Sequence, residues 1–236
     1  MVRGRVEGSA EPGGGGEAAV TDWVRTQGRQ NGAWVDEGEA SYVDVVFELA
    51  GTSVPTEHAW PLWRALAHRL PWLLGEEVAG VHPLRVAPTG YGVALLARRA
   101  RLALRVRRER VPDALTLAGA TLDVAGSALV VGAGIERELR AWATLYARAV
   151  ATGVADEAAF QEDAVRRLAA MGIACECISG RRRTFVAGDR EIVAFGLALH
   201  NVKPDDSLRV QCEGIGGERA LGCGIFVPHR SIAAVA

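Results

Sequence analysis

Regular hydrophobic patterning begins at Tyr42-Val43-Asp44-Val45-Val46-Phe47-Glu48-Leu49, which predicts a β-strand. The stretch Gly51-Thr52-Ser53-Val54-Pro55-Thr56 breaks that strand and supplies helix caps. Over residues 57–70, Trp60, Trp63, Leu66, Ala67 and Leu70 recur at helical spacing, with Thr56 as the expected N-cap and Pro71 as the stop. After a loop through residues 75–89, residues 91–96 and 101–106 predict two short strands, residues 112–118 a helix, and residues 122–135 strand material interrupted by Gly126.

The same order then recurs. Residues 144–151 predict a strand, and residues 156–171 an amphipathic helix with Ala159, Phe160, Ala164, Leu168 and Met171 on one face. Residues 173–178 and 192–199 predict two strands around a basic turn, Arg181-Arg182-Arg183, followed by a short helix over 204–213 and a last strand over 223–227. Each half reads β-α-β-β-α-β, so the fold class is α+β with two tandem ferredoxin-like units, the topology of an RNA-recognition motif. No internal sequence repeat accompanies the recurrence. The expected division is a disordered, glycine-rich extension over 1–41, a first unit over 42–140 and a second over 141–236. Trp23 and Trp34 are the residues of the extension that could dock onto the body.

Charge refines this picture. With 27 cations against 28 anions the chain carries −1, which excludes binding of polyanions through bulk charge alone. Residues 1–41 hold −3 of that, leaving the body mildly basic at +2. Of the cations only Lys203 is not arginine, and arginine supplies planar forks suited to phosphates. No apolar run is long enough for a membrane span and no secretory core opens the chain, so a soluble cytoplasmic protein is expected. Cys175, Cys177, Cys212 and Cys223 form no C-x-x-C pair and read as reduced thiols, the first two on one strand face.

Seven arginines, Arg98, Arg99, Arg101, Arg105, Arg107, Arg108 and Arg110, fall within thirteen residues, with only Glu109 among them. Alternation places Arg99, Arg101, Arg105 and Arg107 on one strand face and Leu102, Leu104 and Val106 on the other. Such a stripe is either a solvated edge that discourages aggregation or a nucleic-acid contact, and Arg181, Arg182, Arg183 and Arg190 add a second basic site. Near the C-terminus, residues 214–224 read G-h-G-x5-G-h-G, with Gly214, Gly216, Gly217, Gly222 and Gly224. The loop is either a glycine-rich hairpin or a cradle whose free amides take phosphate. It lacks the Lys-Ser or Lys-Thr of a P-loop and does not lead from strand to helix as a Rossmann turn does.

Two ferredoxin-like units, Val54-Pro55-Thr56-Glu57-His58 opening the first helix, and this glycine loop before the last strand together resemble the CRISPR-associated RAMP endoribonucleases of the Cas-six family. The stretches Val45-Val46-Phe47-Glu48-Leu49-Ala50-Gly51-Thr52, Gly80-Val81-His82-Pro83-Leu84 and Gly222-Cys223-Gly224-Ile225-Phe226-Val227-Pro228-His229 are similar to its myxobacterial-type branch. The resemblance covers residues 42 to about 232. It implies metal-independent cleavage of CRISPR repeat RNA, the crRNA precursor, by attack of a 2′-hydroxyl on the adjacent phosphodiester, leaving a 2′,3′-cyclic phosphate. It also implies other Cas effector-complex subunits as partners, and it admits an alternative in which the chain is a non-catalytic crRNA-binding subunit.

This chemistry needs a base for the 2′-OH, an acid for the 5′-oxygen and cations for the crowded phosphorane. No acidic cluster points to a metal route, and no cofactor is expected. The resemblance places a catalytic histidine on or just after the first helix, which selects His82, His58 and His68 in that order of preference. His82 follows the helix in a loop near Arg85; His58 opens the helix; His68 sits near its end. Tyr91 and Ser53 are candidate helpers. The RNA-contacting set is Arg98, Arg99, Arg101, Arg105, Arg107, Arg181, Arg182 and Arg183 with the five loop glycines.

Overall fold

The computed structural model describes residues 3–5, 41–76 and 79–230. Its elements in chain order are β1 (Arg3–Arg5), β2 (Tyr42–Ala50), β3 (Ser53–Pro55), α1 (Ala59–Arg69), β4 (Gly80–Val81), β5 (Val86–Pro88), β6 (Val93–Leu96), β7 (Arg101–Arg107), α2 (Val111–Leu115), β8 (Thr121–Val124) and β9 (Ser127–Glu138). The second half continues with β10 (Thr144–Val150), α3 (Glu157–Ala170), β11 (Glu176–Ala187), β12 (Arg190–His200), α4 (Pro204–Glu213) and β13 (Phe226–Pro228). Among the described residues no helix is long and apolar enough to cross a membrane.

Both halves are ferredoxin-like. In the second, the sheet order β11-β12-β10-β13 places the first and third strands of the unit at the centre, with antiparallel pairing throughout. The first has the equivalent order β4-β7-β2-β9, with β8 added at the edge. One core gathers Val43, Val45, Phe47, Leu62, Leu66, Leu102, Leu104 and Leu129; the other gathers Leu145, Ala147, Phe160, Leu168, Phe195, Leu197 and Phe226. Each large side chain removed from water in this way contributes about 1.5–3 kcal/mol. Phe160 and Phe195 stack at 4.6 Å between ring centroids.

Four expectations need correction. The second strand of the first unit is the two-residue β4, whereas Val93–Leu96 joins β3 and β5 in a separate three-stranded sheet. Turning at Gly90 and Gly92, both at positive φ, folds β6 back on β5 and away from the main sheet. Next, Arg181-Arg182-Arg183 is not a turn; it lies within β11, and the hairpin turns at Gly188-Asp189, where Gly188 has φ +67°. Third, Arg3–Arg5 pairs with residues 176–178 of β11, so this part of the expected extension is a strand. Trp23 and Trp34 lie outside the described residues. Finally, α1 starts at Ala59, with His58 and not Thr56 at its N-cap.

The two units press closely together. Every residue of β2 from Tyr42 to Phe47 is buried, because its odd-numbered side chains enter the first core while Tyr42 packs on Cys212 of α4. Helix α1 lies at the same junction: Leu62 and Leu66 face the first core, whereas Ala59 and Trp60 pack with Ala187, Ile192 and Leu221 of the second unit, and Trp63 touches both. The four cysteines are free thiols and buried. The Cys175–Cys177 contact and then burial raise the Cys175 thiol, and burial pushes Cys223 up to about 12, so they behave as small apolar side chains.

Candidate active site

At the junction of the units a cleft of about 590 Å³ is lined by His58, His82, Arg148, Arg181, Arg182, Arg183 and Gly222, among others. His58 arrives there because α1 packs its first turn against the second unit. Its Nδ1 is 3.0 Å from the Pro55 carbonyl oxygen and 3.2 Å from that of Thr56. A carbonyl only accepts, so Nδ1 carries the proton and Nε2 keeps a lone pair. Burial pulls the ring's pKa below the usual histidine value; the two carbonyls pull it back up, and Arg148 adds to the lowering. At neutral pH His58 is therefore an uncharged imidazole with one nitrogen ready to accept a proton.

His82 follows β4, and its backbone N–H donates to the Ala103 carbonyl of β7 at 2.9 Å. Its Nε2 lies 3.0 Å from Asp44 Oδ1. Burial alone would raise the Asp44 carboxyl, but His82 and then Arg105, through charge and hydrogen bonds, hold it well below the usual carboxylate range. Asp44 is thus ionised and accepts only, which makes Nε2 of His82 the donor and leaves Nδ1 to exchange a proton.

Arg105 is the largest departure from the expected stripe. Its residue exposure is 0%, and its guanidinium makes a bidentate pair with Asp44, Nε to Oδ1 at 2.8 Å and Nη2 to Oδ2 at 3.0 Å. Nη1 crosses to the second unit, donating to the carbonyls of Gln211 at 3.0 Å and Phe226 at 2.7 Å. Arg105 is consequently removed from any RNA surface, because its face of the sheet is covered by the other unit. The rest of the arginine-rich segment is largely neutralised by acids distant in sequence. Arg101 faces Glu48, Arg107 faces Glu76, Arg108 pairs with Glu136 and Glu138, and Arg110 pairs with Glu76 and Asp113. Arg98 and Arg99 are exposed in the turn before β7, away from the cleft lining.

The cleft arginines differ. Arg183 Nε donates to the Arg148 carbonyl at 3.1 Å and Arg182 reaches Thr184 Oγ1 at 3.3 Å. Among the described residues no carboxylate pairs with Arg148, Arg181, Arg182 or Arg183. Arg190, by contrast, pairs with Glu218 at 2.9 Å.

The glycine loop is a packing device. The amides of Gly214, Gly217, Gly222 and Gly224 donate to the carbonyls of Val210, Ala151, Arg219 and Ala149, so these four of the five glycine amides are already spent. Gly222, at φ +87°, comes so near the His82 segment that a Cβ would stand 2.9 Å from Pro83 Cγ and 3.2 Å from the Val81 carbonyl oxygen. Likewise a Cβ on Gly216 would be 2.3 Å from the Ala151 carbonyl oxygen. Arg219, buried within the loop, ties it by donating to the carbonyls of Gly224 and Cys212, at 3.0 and 3.1 Å; burial and then Arg105 lower its pKa to about 10.

His68 is elsewhere, exposed in a depression with Trp60, Arg64, Arg69, Thr121 and Asp123. Tyr91, 90% exposed, and Ser53 are not in the cleft lining. Asp44 and Arg148 are the residues that sequence reasoning missed. Asp44 is an acid at a strand position whose neighbours are apolar, Val43 and Val45, which marks a buried charge; Arg148 carried no comparable signal. Among the described residues no group of three His, Cys, Asp or Glu side chains could hold a metal ion.

Two interlocked ferredoxin-like units that bring two histidines and a set of unneutralised arginines to one cleft make an α+β protein suited to holding a polyanion against proton-transfer groups. Residues 43–231 match the family model described as Cas6 Crispr. A CRISPR-associated endonuclease Cas6 of Myxococcus xanthus (strain DK1622) is 38% identical over 188 residues, covering 79% of this chain and 81% of the relative. In fold, the chain is similar to the structure of a Cas6-related protein from Pyrococcus furiosus, with TM-score 0.57, 11% identity and coverage of 79% and 98%. It is also similar to a CRISPR associated protein Cas6, with TM-score 0.56, 14% identity and coverage of 80% and 100%. The chain belongs to the Cas6 family of CRISPR-associated RAMP endoribonucleases.

Proposed function

We infer that this endoribonuclease processes CRISPR precursor RNA by laying the repeat across the inter-unit cleft and cutting it without a metal ion. The observation that carries the reading is the presence of His58 and His82 in one cleft with Arg148, Arg181, Arg182 and Arg183, four arginines of which none is paired with a carboxylate among the described residues. His58 Nε2 accepts the proton of the 2′-hydroxyl as its oxygen bonds to phosphorus. The bond from phosphorus to the 5′-oxygen breaks, and that oxygen takes a proton from Nδ1 of His82, whose Nε2–H remains bonded to Asp44. The products are a 2′,3′-cyclic phosphate and a 5′-hydroxyl.

Asp44 and the carbonyls of Pro55 and Thr56 hold the two rings in the required tautomers, as the third member of a catalytic triad does. The cleft arginines meet the phosphates, and the reading places the enzyme in the cytoplasm with its transcript. Product retained in the cleft would let the chain serve as a subunit beside other Cas proteins. The test is cleavage of the cognate repeat RNA in EDTA, beside a substrate with a 2′-deoxy group at the cut. Cutting that survives EDTA and stops with the deoxy substrate is the expected result. Salt-sensitive binding without cutting would make the chain an RNA-binding subunit, and a requirement for a divalent ion would overturn the mechanism.

A further inference from the structure

Strands β10 and β11 flank β12, and each loses register at one place. Arg148 and Ala149 of β10 stand opposite the single residue Gly196, and Gly180 and Arg181 of β11 stand opposite the same Gly196 from the other side. Each is a β-bulge, which inserts an extra residue, bends its strand and re-aims a side chain. The two can meet because Gly196 has no side chain: a Cβ there would be 3.1 Å from the Tyr146 hydroxyl and 3.6 Å from the Arg181 amide nitrogen. Arg148 is the one exposed residue of β10, and Arg181 is exposed as well; both line the cleft.

The resulting arginine group is electrostatically unfavourable when empty. Loss of water, and then the neighbouring Arg183, pull the pKa of Arg148 below the usual arginine value. Glu57 is the carboxylate in the cleft lining, and among the described residues no ion pair joins it to these arginines. Arg148 also acts through charge on His58, opposite in sign to the effect of Glu57. Like charges gathered without a counterion favour an incoming anion, and a guanidinium fork matches two oxygens of a phosphodiester.

We propose that the paired bulges at Gly196 build a phosphate seat, and that Arg148 is the group that holds the reacting phosphodiester beside His58. The inference rests on the cleavage reading above. Arg148 moves no proton; it neutralises charge on the non-bridging oxygens as the 2′-oxygen bonds to phosphorus and the 5′-oxygen leaves. Arg181, on the second bulge, extends the seat along the strand.

The experiment measures single-turnover cleavage of repeat RNA, its pH profile, and binding of the 2′-deoxy repeat, for wild type, Arg148→Ala and Arg148→Lys. The expected result for Arg148→Ala is a rate about 10²–10³-fold lower at saturating enzyme, with binding weakened by less than about tenfold, one phosphate contact of several. Arg148→Lys restores part of the rate. In Arg148→Ala the acid limb of the profile, set by His58 under the opposing charges of Arg148 and Glu57, moves to higher pH. A purely structural role would leave that limb in place. If wild type cuts and Arg148→Ala cuts within threefold of it with an unmoved limb, the seat is overturned and the cleavage reading stands. If wild type does not cut, the cleavage reading falls; the assigned role of Arg148 in the reaction falls with it.

Discussion

Asp44 and Arg105 face each other across adjacent strands, paired in register, and form a buried bidentate ion pair whose carboxylate also accepts a hydrogen bond from His82 Nε2. Because Arg105 also donates to Gln211 and Phe226 of the other unit, the orientation of His82 depends on how the two units dock. Structure and chemistry are joined through one carboxylate.

Replacing Asp44 with Asn leaves the Arg105 charge buried without a counterion. The expected cost is about 3–5 kcal/mol, the range for removing one partner of a buried pair. Urea unfolding of Asp44→Asn against wild type at pH 7 measures it, and a loss under 1 kcal/mol would mean that solvent reaches the pair.

The same pair sets an acid limit on stability. The folded pKa of Asp44 lies below its unfolded value of about 3.9, so its contribution is complete above that pH and is lost as pH falls through it toward the folded value. Unfolding midpoints from pH 6 to pH 2.5 should drop more steeply for wild type than for Asp44→Asn. Parallel curves would remove Asp44 from the acid response.

For the histidines, His58→Ala and His82→Ala should each lower single-turnover cleavage by about 10²–10⁴-fold. His68→Ala should remain within twofold of wild type. With a lowered pKa, His58 as base gives the pH profile an acid limb whose midpoint lies below about 6.5. A large loss in His68→Ala would move the site to the depression beside Arg64 and Arg69.

Phosphate contacts are read from the salt dependence of RNA binding. Alanine at Arg181, Arg182 or Arg183 should each reduce the slope of log K against log salt by about 0.7–0.9. Alanine at Arg105 is uninformative because that residue is buried, but Arg108→Ala should leave the slope unchanged, since Glu136 and Glu138 already neutralise its charge. Equal slopes for both sets would restore the arginine-rich segment over residues 98–110 as an RNA surface.

The glycine loop yields a contrast within one segment. Gly222→Ala places a Cβ against Pro83 in a left-handed conformation that costs about 1–2 kcal/mol before any clash. Gly217→Ala meets open space without positive φ. Thermal unfolding and cleavage should both suffer in the first and neither in the second. A loss of RNA binding confined to Gly217→Ala would instead favour a phosphate cradle.

Hydrophobic periodicity by itself determined the strand and helix order, because residues such as Val43, Val45 and Phe47, or Phe160, Ala164 and Leu168, repeat at the spacing of the element that buries them. It also determined the α+β class; the spacing of glycines marked the loop between the last helix and strand, and the family resemblance selected three candidate histidines. Tertiary structure decided what spacing cannot encode. Gly80–Val81 is too short for a period to register, so its place in the sheet comes from pairing with Leu104 and Arg105. The arginines looked alike in sequence, yet one is buried against Asp44, several are neutralised by carboxylates 28 to 53 residues away, and those of β10 and β11 are left open at the cleft. Charge acts through space, and only folding sets the distance between Arg108 and Glu136 or between Asp44 and His82. The histidines were separated for the same reason: His58 and His82 line one cleft at the junction of two units, while His68, at the other end of the helix that His58 caps, faces solvent.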